Sequence, residues 1–209
     1  MTELGGHLAL VLIMKQWMNH PTILAECCYV LGAVGMDNEF AKAVVDLGVI
    51  GLLINIMRTY PHDEYIQLYG CGAILVLSLD EEVYAMELVN KWEGIPVIIL
   101  ALQHFPKSCD IEDLSCQIFL SLSEYPLLKK TLVKCGAIRA IGTVLERYVK
   151  EAGNSNKSTT TTVATTTTRQ QQQQPTSSNV STIADSVLSN DDQTVEVMAK
   201  ETLRRLLNL

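Results

Sequence analysis

The chain contains no HExxH, no GxSxG and no phosphate loop ending in GK[ST]. Those absences remove the zinc peptidase, the nucleophile-elbow hydrolase and the P-loop nucleotidase, because each chemistry needs its residues at fixed spacing. Histidine is scarce. His7, His20, His62 and His104 are the four, and none stands at zinc-finger spacing from a cysteine or another histidine. No catalytic residue, metal site or cofactor is expected. A long apolar run is missing as well. Ile66 to Leu79 is uncharged and mostly apolar, yet shorter than the roughly 20 residues that a bilayer-crossing helix needs. The opening MTELGGHLALVLIM lacks a basic lead and carries Glu3, which argues against a signal peptide. Positive charge is also short: 16 Lys and Arg against 23 Asp and Glu, a net charge of -7. Such a balance disfavours coating nucleic acid or an anionic membrane, and no basic aromatic groove for nucleic acid is evident.

What is there is apolar bulk. Of 209 residues, 48% are hydrophobic, enough for one domain with a sizeable core. Six cysteines in a chain of this length do not form a small secreted disulfide scaffold, and Cys27-Cys28 is an adjacent pair rather than CxxC. Reduced thiols, in cytoplasm or nucleus, are the expectation. The basic residues gather late: Lys129, Lys130, Lys134, Arg139, Arg147 and Lys150 face only Glu146 in the same stretch. They read either as solvated helix faces or as a docking patch for an acidic partner, with Lys129, Lys130 and Lys134 as its core.

Internal repetition organises the rest. Four segments begin with glycine and continue as an apolar helix: Gly5 "GGHLALVLIM", Gly48 "GVIGLLINIM", Gly94 "GIPVIILALQ" and Gly136 "GAIRAIGTVL". Successive glycines stand 43, 46 and 42 residues apart. A second helix follows each. "CCYVLGAV", "GCGAILVL" and "SCQIFLSL" align without gaps, so Cys28, Cys71 and Cys116 share one repeat position. A small residue precedes each cysteine, and Leu31, Ile74 or Phe119 follows three positions later, on the same helix face. A nucleophile would be needed once; a packing residue is needed in every repeat. The cysteines therefore read as small core residues. Gly70 and Gly72, either side of Cys71, read as packing residues rather than as a phosphate loop. Shorter helices lead into the next glycine, with Asp37 and Ser123 as expected N-caps and Gly48, Gly94 and Gly136 at the tight turns. Pro21, Pro61 and Pro106 lie where the chain reverses. Each unit is a short helix and two long ones.

These units resemble armadillo repeats, through the "VDLGVI" and "VKCGAI" junctions and the small-Cys-x-x-apolar third helices. The resemblance implies an all-α, right-handed solenoid of about four repeats. Residues 1–152 would hold repeats 1–3 and the first part of repeat 4, and 181–209 the final helix that completes it. "AKETLRRLL" fits the third-helix pattern with Ala199 in the small position and Leu203 in that of Leu31. Between them, 153–180 is rich in Thr, Gln, Ser and Asn, cannot bury enough surface to offset its ordering entropy, and reads as a disordered insert. The first unit lacks its short helix and the last ends on "RRLLNL" without a polar cap, which points to a fragment or to ends that pair with another molecule.

The resemblance also implies function: third helices line a concave groove that binds extended peptides or proteins, without catalysis. In importin-α and β-catenin relatives an asparagine late in that helix fixes the peptide backbone; in importin-α a tryptophan often stands four residues earlier. Here the asparagine positions hold Ala33, Val76, Ser121 and Arg205, and the tryptophan positions hold Tyr29, Gly72, Gln117 and Glu201. The row is too neutral for a strongly basic signal peptide. Tyr29 and Gln117 offer an amphipathic ring and an amide for a mixed partner. The expected role is a protein-interaction scaffold or adaptor; the rival is a regulatory or docking segment of a larger protein, such as an enzyme.

Overall fold

Turn chemistry fixes most element boundaries in the computed structural model, which describes residues 5–78, 81–155 and 192–207. Gly5, Gly48 and Gly136 adopt left-handed φ of 68°, 82° and 92°, a conformation open to glycine at no steric cost. Each opens a helix: α1 (Gly6–Gln16), α4 (Val49–Thr59) and α10 (Ala137–Ser155). Pro21 starts α2 (Pro21–Val34), where its missing N–H would be unpaired anyway. Asp37 caps α3 (Asn38–Asp46), its carboxylate accepting from Phe40 N at 2.8 Å. The remaining elements are α5 (Glu64–Ser78), α6 (Glu82–Met86), a π-helical turn (Glu87–Lys91), α7 (Gly94–His104), α8 (Cys109–Leu122), α9 (Pro126–Cys135) and α11 (Asp192–Leu207). Among the described residues there is no strand, and the fold is all-α.

Two expected boundaries are corrected. Gly94 does not take the left-handed turn; Glu93 does, with φ 51°. The bend follows directly on the π turn that ends at Lys91. Gly94 is small for a different reason: a Cβ there would lie 2.5 Å from Leu88 Cδ1. Ser123 is not an N-cap. It closes α8, with its hydroxyl donating to Leu120 O at 2.6 Å, and Tyr125 occupies the N-cap of α9.

The third helices pack in chain order, α2 on α5, α5 on α8 and α8 on α11. The second helices follow suit, α4 on α7 and α7 on α10. Hydrogen bonds tie equivalent turns together. Tyr60 OH donates to Met18 O (2.8 Å) 42 residues earlier, and His104 Nδ1 to Pro61 O (2.7 Å) 43 residues earlier. The core runs between the layers. Cys28, Cys71 and Cys116 are 0% exposed, as are Leu31, Ile74 and Phe119, so the repeat position read from sequence is a packing position. Gly70 has no room for a side chain, since a Cβ would meet Met57 Sδ at 2.8 Å. Gly72 faces open space instead, and its smallness serves no close contact.

In the expected register the buried residues of the last helix stand level with Ile111, Ser115, Ile118 and Leu122 of α8, which are buried too. Val195, Ala199, Thr202 and Leu206 are its buried residues, while Leu203 is only half-buried. Thr202 Oγ1 approaches Cys116 O at 3.3 Å, on the side of α11 that faces α8. α10 continues through Ser155, three residues into the segment read as an insert. The rest of that segment lies outside the described residues.

Candidate functional site

Tyr29, Ala33, Gly72, Val76, Gln117 and Ser121 are all half-buried on α2, α5 and α8, neither in the core nor fully solvated. Successive helices bring the aromatic members together. Tyr29 meets Tyr69 edge-on, with ring centroids 5.2 Å apart, and Tyr69 lies 6.0 Å from Tyr65. Tyr65 is 64% exposed and forms the outer end of this run. α2 crosses α5 at Gly32, where even a Cβ would make only ordinary contact, 3.6 Å from Ala73 N.

Carboxylates border the rings. Gln117 Nε2 donates to Asp113 Oδ2 at 2.7 Å. Burial holds the Asp113 carboxyl above its ordinary range, Gln117 pulls it down, and Asp110 pushes it up again. Asp110 is raised by burial and then by Glu64. The Tyr69 hydroxyl is raised by burial, then by Glu26 and by Tyr65 and Tyr29. The face therefore combines three tyrosines with Glu26, Glu64, Asp110 and Asp113. None of these acids, nor Tyr65 and Tyr69, belongs to the row expected from sequence. A signal existed: Tyr65 and Asp110 stand seven residues before Gly72 and Gln117, two turns down the same stripe.

Glu201 and Arg205 are half-buried like the first six, but they pair with each other. Arg205 Nε donates to Glu201 Oε1 (3.1 Å) and its Nη1 to Glu124 Oε1 (2.8 Å), so both are held in a surface ion network. The fourth third-helix thus presents charge where the first three present a ring, a gap and an amide.

The basic patch is split. Lys129 is half-buried, while Lys130 and Lys134 are exposed. Lys134 alone of the three borders a cleft between α7, α9 and α10. Trp92 packs rather than projects: its ring covers Gly51, where a Cβ would meet it at 2.4 Å, and its Nε1 donates to Glu87 Oε1 at 2.9 Å.

Thiol chemistry is suppressed at the repeat cysteines. Burial raises Cys28, Cys71 and Cys116 each to about 12, so all three are neutral thiols at pH 7. Among the described residues, no three His, Cys, Asp or Glu side chains are placed to hold a metal ion. Also among them, no single helix is long and apolar enough to cross a membrane.

No family model and no solved structure matches the chain. Over 82 residues, 37% of its length, it is 28% identical to "Protein aardvark" of Dictyostelium discoideum. The match spans 11% of that protein.

Proposed function

We propose that the chain is an armadillo-type solenoid segment whose role is non-enzymatic protein–protein interaction. The exposed face of α2, α5 and α8 is its groove, and an extended segment of a protein partner lies across it. The observation that carries this reading is the tyrosine run Tyr29–Tyr69–Tyr65, half-buried to exposed and bordered by carboxylates. Such rings give large contact area at low entropic cost, and their hydroxyls accept and donate at a wet surface. Carboxylates held above their ordinary range gain most from a cation at close quarters. The fitting partner therefore carries lysine or arginine beside apolar side chains, and cation–π contact adds to the ion pairs. Six free cysteines favour a reducing compartment, the cytoplasm or nucleus.

One observation favours the second reading, a docking segment of a larger protein: the matched stretch is only 11% of the relative's length. Hydrogen–deuterium exchange of the chain with a partner retained on the immobilised protein tests both. Slowed exchange in α2, α5 and α8 supports the groove; protection confined to α9 and α10 rejects it.

A further inference from the structure

A cleft apart from the tyrosine face is bordered by the helices of the last two units. We propose that the cleft between α7, α9 and α10 takes an acidic peptide segment bearing one aliphatic side chain.

The cleft encloses about 540 Å³, within the range of ligand-holding pockets. Its floor is apolar: Ile99, Leu102 and Val144 line it, the last two nearly inaccessible to solvent. Its rim is cationic. Gly136 turns the chain through its left-handed conformation, so Lys134 at the end of α9 and Arg139 at the start of α10 border one opening. Both are exposed, and neither forms an ion pair among the described residues. Arg139 also sits in the first turn of α10, where the helix dipole disfavours a cation and no acidic residue offsets it.

Among the described residues one carboxylate lines the cleft, and it does not neutralise them. Glu112 is 1% exposed and already engaged, by the Arg147 guanidinium and by Tyr148 OH at 3.1 Å. Two unmatched cations over an apolar floor, in a chain of net charge -7, select an anionic ligand with a greasy element. Among the described residues no aromatic ring lines the cleft to stack a nucleobase. The acidic remainder of the molecule repels a polyanion or an anionic membrane.

The cleft carries its own reporter. Cys135 lines it and is exposed, whereas Cys27, Cys28, Cys71 and Cys116 are buried. Alkylation of Cys135 by iodoacetamide in the full chain, followed by mass spectrometry, therefore reads occupancy. The probes are acidic hexapeptides with a central Leu, Ile, Val or Met, a hexaglutamate control, a single-stranded oligonucleotide and phosphatidylserine vesicles. The aliphatic acidic peptides should slow Cys135 alkylation several-fold and the other probes should not. The double variant Lys134→Glu/Arg139→Glu should weaken peptide binding by about tenfold or more, since both side chains are solvated and circular dichroism should be unchanged. Tyr29→Ala/Gln117→Ala should leave it intact. Failure of every peptide to protect Cys135 overturns the proposal. Equal protection by hexaglutamate removes the aliphatic requirement, and preferential protection by oligonucleotide or vesicles assigns the cleft to a different ligand; either also overturns it.

Discussion

Cys71 is fully buried beside Ser115 of the next third helix, whose hydroxyl partly offsets the rise that burial imposes on the thiol. Nothing there asks for reactivity; the slot asks for a small side chain. Cys71→Ala should cost about 1 kcal/mol, the ordinary centre for point substitutions. Cys71→Phe should cost more, roughly 1–3 kcal/mol from overpacking alone. Urea midpoints at constant slope check this, and equal tolerance of both would mean that the slot is not closed. The carboxylates behave differently. Asp110 is held above its ordinary range by burial and by Glu64, so the folded state keeps its proton to higher pH than the unfolded chain. Between the unfolded value, about 3.9, and the higher folded one, the native state binds more protons, and stability falls as pH rises through that window. Asp110→Asn removes the penalty. Its melting temperature should exceed the wild type's at pH 7, and the gain should vanish near pH 3. At this scale the repeated cysteine was legible because one residue type recurs at one position. The acidic stripe escaped because it lies one to two turns before the expected row, and its members change identity from repeat to repeat.

Among elements, the junction of α4 with the π turn is the most demanding contact. Trp92 lies so close to Gly51 that a Cβ would overlap three ring atoms. The ring is held in place by the Nε1 bond to Glu87, whose carboxyl is lowered chiefly by the Lys91 ammonium. Glycine to alanine inside a helix ordinarily gains about 1 kcal/mol. Here the sign should reverse: Gly51→Ala should destabilise, and the loss should largely disappear in a Trp92→Ala background. A double-mutant cycle by denaturant unfolding gives the coupling, and additive effects would show that the ring moves aside freely. Gly70 offers the contrast, since its neighbour is the flexible thioether of Met57. The glycine pattern predicted where units begin. It did not reveal the π turn, because a one-residue excess inside a short helix leaves no compositional trace.

Across the whole molecule, one layer of third helices carries both the core and the candidate face. The inward stripe packs cysteine and a bulky apolar residue; a neighbouring stripe, turned outward, gathers Tyr29, Tyr65, Tyr69, Asp113 and Gln117. The all-α class was legible because the apolar residues recur at helical spacing along the chain. The site was legible only in part, since the positions that face outward carry no packing constraint and so no repeating residue. The central claim is that a protein partner binds this outward face. Calorimetric titration of a captured partner against wild type and against the folded Tyr29→Ala/Gln117→Ala variant tests it most directly. The account predicts that the variant binds more than about tenfold more weakly, with unchanged helical circular dichroism. Unchanged affinity in that variant, with binding lost instead on reversing Lys129, Lys130 and Lys134 to Glu, would contradict it.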